Sequence, residues 1–235
     1  MTANLLPNFW ALIPAAGVGS RMAADRPKQY LELAGKTIIE HSLACFLDHP
    51  QLLGVVVSLA ADDPYWPNLA CAHDPRIQRA EGGRERADSV LGGLLRLSEL
   101  GAQERDWVLV HDAARPNLAR SDLDLLLAEL ADDPVGGLLA VPARDTLKRA
   151  GTDGRVLATV DRAPIWQAYT PQMFRLAELQ RALADALLAG VAITDEASAM
   201  EWAGQAPRLI EGRADNLKVT RPEDLQSLAR LWRRP

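Results

Sequence analysis

The apolar positions of this chain fall into short strand-like runs separated by segments of helical period. Residues 9–13 and 52–59 are nearly continuous apolar runs, the second built on Val55-Val-Val57, as in strands covered on both faces. Residues 76–81 and 106–111 read as further strands, and residues 137–141 and 208–211 add two more. Between them, residues 37–47, 85–100 and 121–130 read as helices, followed by 176–188, 196–202 and 223–232. Thr37 caps the first helix, with Glu40 completing a T-x-x-E capping box, and Gly101 closes the second. Residues 62–67, Asp-Asp-Pro-Tyr-Trp-Pro, break into a short helix. Alternating strand and helix predict an α/β fold with a mostly parallel central sheet. Right-handed crossovers then place the ligand-binding loops at the carboxyl ends of the strands.

The alternation fails once. Residues 143–149 and 156–161 are β-like runs on either side of Gly151-Thr-Asp-Gly154, a hairpin turn signal. A hairpin between crossover units does not join a parallel sheet simply, so residues 143–162 are expected to project as a β arm from a single domain spanning 1–235. An isolated two-stranded hairpin is marginal in water, so the arm calls for a partner to cover it.

The candidate chemistry begins right after the first strand, in Leu12-Ile-Pro-Ala-Ala-Gly-Val-Gly-Ser-Arg-Met22 and the following Arg26-Pro27-Lys28. Gly17 and Gly19 let backbone N–H groups approach an anion without a Cβ in the way. Arg21 can then grip two phosphate oxygens with its planar fork, and Lys28 supplies a mobile point charge. A dinucleotide-binding turn needs a third glycine and an acidic residue at the end of the second strand. Here those positions hold Met22 and the helical Glu40. Gly35-Lys36-Thr37 lacks the upstream glycine of a Walker A loop.

Asp112 ends the strand at 106–111, at the same sheet edge as this loop. A carboxylate there either caps a turn or holds Mg²⁺, which takes one or two carboxylates together with phosphate oxygens and waters. Asp215 offers a second ligand, with Asn216 a lesser candidate. Arg84-Glu-Arg-Ala-Asp-Ser89 reads either as a solvated helix start or, after Gly82-Gly83, as an edge where the Ser89 hydroxyl meets a nucleobase.

Composition narrows the ligand. The net charge of −5 leaves no basic field for nucleic acid, so phosphate must be held by local clusters, which favours a small anionic substrate. No apolar run approaches the roughly eighteen residues of a membrane span, and Met1-Thr-Ala-Asn lacks the basic start of a signal peptide. A cytoplasmic location is therefore expected. Cys45 and Cys71 form no C-x-x-C, in keeping with a reducing compartment. His41, Cys45 and His49 fall at helical spacing but lack the tight pairing of a zinc site; His49 is expected at a frayed helix end, where an imidazole suits the dipole.

Taken together, these motifs resemble those of the 2-C-methyl-D-erythritol 4-phosphate cytidylyltransferase family, within the broad nucleotidyltransferase class. The resemblance runs from about residue 9 to residue 226. It is carried by Pro27-Lys-Gln-Tyr-Leu31, Arg86-Ala-Asp-Ser-Val90, Val110-His-Asp-Ala-Ala-Arg-Pro116, Thr159-Val-Asp-Arg162, Thr170-Pro-Gln172, Thr194-Asp-Glu196 and Asp215-Asn-Leu-Lys-Val-Thr220. Arg84 departs from it, since an acidic residue is frequent there. The resemblance implies a Rossmann-like nucleotidyltransferase domain, a homodimer with arm exchange, and Mg²⁺-assisted transfer of CMP from CTP to methylerythritol phosphate with loss of pyrophosphate. On this basis Arg21 and Lys28 would be catalytic, while Pro14, Ala15, Ala16, Gly17, Gly19, Gly83 and Ser89 would frame CTP. Arg115, Thr146, Arg162, Thr194 and Lys218 would hold the acceptor, Thr146 and Arg162 reaching in from a neighbouring subunit. A pentitol phosphate such as ribitol 5-phosphate is the competing acceptor. A catalytically silent nucleotide-binding protein on the same fold is the competing class.

Overall fold

The computed structural model describes residues 6–17 and 26–232. Gly19 and Arg21 lie outside them. In chain order the elements are β1 (Phe9–Pro14), β2 (Glu32–Leu33), β3 (Lys36–Thr37), α1 (Ile38–Leu47), β4 (Leu52–Leu59), β5 (Ile77–Glu81), α2 (Arg86–Glu99), β6 (Trp107–Val110) and α3 (Arg120–Leu130). There follow β7 (Gly136–Pro142), β8 (Leu147–Ala150), β9 (Val156–Val160), β10 (Trp166–Arg175), α4 (Leu176–Leu188), α5 (Glu196–Trp202), β11 (Arg208–Glu211) and α6 (Pro222–Trp232).

Seven strands form the central sheet in the order β11-β7-β10-β6-β1-β4-β5. β1 pairs in parallel with β4 and β6, β4 with β5, and β7 with β11. The period-two alternation of β1 sends side chains to two different cores. Phe9, Ala11 and Ile13 join Ile39, Leu43 and Phe46 of α1 and Leu123, Leu126 and Leu127 of α3. Leu12 faces the opposite way, onto Val90, Leu94 and Leu97 of α2 and Leu179 and Leu183 of α4. Each fully buried leucine of this kind contributes about 2 kcal/mol by leaving water. Both faces of the sheet are therefore covered, and the strand ends are left to carry loops.

The sequence pattern shows no strand at 166–175, yet β10 lies there, antiparallel to both β6 and β7. Pro171 and the glutamines at 167 and 172 hide the alternation, and proline cannot donate to a sheet ladder. The structure accommodates them with a register shift between Ala168 and Gln172. This strand also explains the arm. β7 and β10 run on as an antiparallel pair, Ala143 N–H donating to the Ile165 carbonyl, and the β8/β9 hairpin projects beyond that junction as its own two-stranded sheet. Val156 and Leu157 of the hairpin are exposed.

Thr37 and Glu40 form the capping box, the Thr37 N–H and hydroxyl donating to Glu40 Oε2 at 2.8 and 2.7 Å. Gly35, at φ +83°, turns the small β2/β3 hairpin, which is the structural use of the Gly35-Lys36-Thr37 triplet. The expectation of a frayed-end, dipole-serving His49 needs correction. Its ring is buried edge-on against Phe9, donates from Nε2 to Asp124 Oδ1 at 3.0 Å and accepts the Gln51 N–H at Nδ1. Burial pushes its pKa down, so the ring sits neutral in the fold. Cys45 and Cys71 are free thiols pushed up by burial to about 12 and about 11. Among the described residues no helix is long and apolar enough to cross a membrane.

Candidate active site

A cavity of about 330 Å³ opens at the carboxyl ends of the central strands. Its wall on one side is the backbone that leaves β1, Pro14 to Gly17, and on the other the turn between β5 and α2. These two segments touch closely: a Cβ on Gly82 would stand 2.2 Å from the Ala16 Cβ, so only glycine permits the approach. The β1 loop is pinned from below by Gln29, whose buried Nε2 donates to the carbonyls of Ala15 at 2.7 Å and Gly17 at 3.2 Å. Those bonds occupy the loop's carbonyls.

Lys28 and Lys218 both line the cavity and are stitched together, since Lys28 Nζ donates to the Val219 carbonyl at 3.0 Å. Lys218 Nζ in turn lies 2.7 Å from Asp112 Oδ2. Asp112 is buried and also meets Arg86 Nε at 3.1 Å and Arg115 Nε at 3.5 Å. Burial alone would raise its pKa, but Arg86, Lys218 and Arg115 outweigh that and hold the carboxyl well below the usual range. Arg115 is itself buried, donates to the Asn216 carbonyl at 2.7 Å and stacks over the Tyr169 ring at 4.4 Å. Asn216 is a buried peg, its Nδ2 donating to the Thr170 carbonyl.

Behind Asp112 the strand end is fixed by a short relay. The Asp112 N–H donates to Thr170 Oγ1, which is 3.0 Å from His111 Nδ1, and His111 Nε2 lies 3.0 Å from the Arg115 carbonyl. Burial lowers the His111 pKa to about 4, so the ring is neutral. A proton on Nε2 satisfies both contacts, with the Thr170 hydroxyl donating to Nδ1.

Ala15, Ala16, Gly17, Gly83 and Ser89 line the cavity with Pro14. The Ser89 hydroxyl is engaged within the turn, accepting the Gly83 N–H at 3.0 Å and donating to the Glu85 carbonyl at 3.1 Å. Thr194 is exposed just before α5. Thr146 and Arg162 are exposed at the base of the arm, where Arg162 bonds the Arg144 carbonyl, and neither lines the cavity. Asp215 is not brought to Asp112 either: its carboxylate is ion-paired with Arg213, and its carbonyl accepts from Asn117.

Family membership is decided by comparison with known proteins. The model of the family described as "IspD: 2-C-methyl-D-erythritol 4-phosphate cytidylyltransferase" matches residues 9–233. The chain belongs to the 2-C-methyl-D-erythritol 4-phosphate cytidylyltransferase family. A relative of that name from Pseudomonas fluorescens (strain SBW25) is 78% identical over 227 residues, covering 97% of each chain. A crystal structure titled 4-diphosphocytidyl-2C-methyl-D-erythritol synthase matches at 42% identity and TM-score 0.83, over 97% of this chain and 100% of the other. The cytidylyltransferase of Francisella tularensis matches at 35% and 0.81, over 94% and 98%.

Within this cytidylyltransferase site, sequence reasoning missed the parts played by Arg86, Glu196, Gln29 and Gln172. Each stands in a recognised motif, but side-chain partners far apart in sequence carry no periodic signal. Arg86 grips the buried Glu196 through both terminal nitrogens, at 2.5 and 3.1 Å. Gln172 pins the start of α5, donating to Asp195 Oδ2 at 2.9 Å and accepting the Ala197 N–H at 2.8 Å.

The donors also fit Mg²⁺ of the kind held mainly by phosphate. Among the described residues, Glu85 and Asp112 are the carboxylates lining the cavity, and Glu85 is used in the capping box of α2. Among the described residues no cluster of three or more His, Cys, Asp or Glu offers a protein cage. One carboxylate with phosphate oxygens and waters is a common Mg²⁺ arrangement.

Proposed function

We propose that this chain transfers CMP from CTP to 2-C-methyl-D-erythritol 4-phosphate, giving 4-diphosphocytidyl-2-C-methyl-D-erythritol and pyrophosphate, in non-mevalonate isoprenoid biosynthesis. The observation that carries it is the cavity where Lys28, Lys218 and Asp112 converge on the glycine-bearing β1 loop, in a chain 78% identical to a relative of that name. A phosphate oxygen of the acceptor attacks the α-phosphorus of CTP in line. The new P–O bond forms as the bond to the β-phosphate oxygen breaks, and pyrophosphate leaves with that electron pair. The attacking phosphate is already ionised near neutral pH, so no general base is required.

The residues act by position and charge. Pro14 to Gly17, Gly19, Gly83 and Ser89 frame the nucleotide. Arg21 and Lys28 stabilise negative charge as it builds on the phosphates. Asp112 would hold Mg²⁺, which would supply further charge neutralisation at the phosphates. Arg115, Thr194 and Lys218 hold the acceptor, joined by Thr146 and Arg162 from a second copy of the chain. That arm exchange makes the enzyme a homodimer, and the exposed Val156 and Leu157 are the apolar side chains it would cover. Free cysteines suit the reducing cytoplasm.

A pyrophosphate-release assay tests the reaction. Pyrophosphate should appear only when CTP, Mg²⁺ and methylerythritol phosphate are all present, and its absence with folded protein would refute the proposal.

A further inference from the structure

We propose that Arg86 and Glu196 form a positioning pair that sets the orientation of Asp112 and thereby couples the acceptor side of the site to the nucleotide side. The inference rests on the cytidylyltransferase reading of the cavity.

Glu196 is the first residue of α5, and its side chain is only 1% exposed. A buried carboxylate must be paired, and its partner is Arg86. The fork spends both terminal nitrogens on Glu196, which leaves Nε–H to donate to Asp112 Oδ1 at 3.1 Å. Arg86 thus reaches Asp112 in the single direction that its grip on Glu196 allows. Lys218 and Arg115 approach the other oxygen, Oδ2. The carboxylate is held from both ends, so its plane is fixed.

Stability is a poor explanation for this pair. Desolvating two charges offsets most of their attraction, and a packed apolar pair would serve as well. What a bidentate buried pair supplies is orientation. Its connections also run to the right places. Arg86 starts α2, directly after the Gly83 turn that would face the nucleotide, and the Gly83 N–H bonds Ser89 on that same helix. Glu196 follows Thr194 and Asp195, and this segment is pinned to β10 by Gln172, two residues beyond Thr170. Thr170 in turn receives the Asp112 N–H. Four motifs that are separate in sequence therefore close into one ring of hydrogen bonds around Asp112. Three of the five N–H donors of Arg86 are committed to the ring, which sets it to act through Asp112 and the acceptor segment.

The test uses the full-length protein with Glu196→Gln, which keeps shape and loses charge, and Arg86→Lys, which keeps charge and loses the fork. Melting curves identify any variant that fails to fold at the assay temperature; the other then carries the test. The expected result is a fall in kcat of about tenfold or more with a raised KM for the acceptor. Equilibrium binding of CTP with Mg²⁺, measured without acceptor, should stay within about twofold. Combined with Asp112→Asn, Glu196→Gln should cost little more than Asp112→Asn alone. Unchanged kcat and acceptor KM, an equal loss of CTP binding, or a fully multiplicative double variant would each overturn the proposal. If the wild-type protein turned over no acceptor at all, the underlying functional reading would fail instead.

Discussion

Lys218 places its ammonium 2.7 Å from Asp112 Oδ2, joining the strand-end aspartate to the segment that also receives Lys28. Because Arg86 and Arg115 face the same carboxylate, Asp112 compensates three cations besides being the proposed Mg²⁺ ligand. Asp112→Asn should therefore cost stability as well as Mg²⁺-supported turnover. The expected loss is about 3 kcal/mol, at the low end for a broken buried pair because Lys218 is still partly in water. Urea unfolding and a Mg²⁺ titration check the two halves separately. Wild-type activity across the titration would remove Asp112 from the metal.

Lys28→Ala, and Arg21→Ala outside the described residues, should each lower kcat by about a hundredfold, the scale for losing one donor to a transition-state charge. CTP affinity should fall much less. A rise in KM with kcat held would make both residues ground-state binders.

Stability should depend on pH through His49, far from the cavity. Burial lowers its pKa while Asp124 pulls it up, and the net direction is down. The unfolded chain then binds a proton at a pH where the folded ring does not. This contribution to stability is complete above the unfolded value near 6.5 and is lost as pH falls below it. His49→Gln should flatten the decline in unfolding free energy between about pH 7 and pH 5 relative to wild type. Parallel curves would show that the ring charges freely in the fold.

Much of this architecture was legible in the chain. Val55-Val-Val57 and the apolar run at 9–13 signal strands buried on both faces, and both are interior strands of the sheet, β1 between β6 and β4 and β4 between β1 and β5. Gly151 and Gly154 signal the hairpin turn. What was hidden depends on tertiary partners. β10 carries a proline and two glutamines in place of alternation, and Gln172 is there to hold α5 rather than to fill a core. Arg86 looks like any charged residue at a helix start until Glu196 arrives from the other end of the chain. His49 reads as a frayed-end histidine because nothing nearby in sequence announces Phe9 or Asp124. Lys28, Asp112 and Lys218 were findable as motif residues, but their mutual contacts were not.

Arm exchange predicts rescue between defective subunits. Homodimers of Lys28→Ala and of Arg162→Ala should both be nearly inactive. Co-expressed, a heterodimer has one doubly damaged site and one site with both native residues, so random mixing restores about a quarter of all sites. No recovery in a preparation shown to contain heterodimer would place Arg162 in its own chain's site.

The identity of the two substrates is tested by a matrix of kcat/KM values. CTP, UTP, ATP and GTP are each paired with methylerythritol phosphate and with ribitol 5-phosphate, in Mg²⁺, and pyrophosphate release is measured. The pair of CTP with methylerythritol phosphate should exceed every other by about a hundredfold or more, the discrimination available when a site built to bond one substrate leaves polar groups unpaired with another. Equal or faster turnover of ribitol 5-phosphate would contradict the account, as would release in none of the pairs by folded protein.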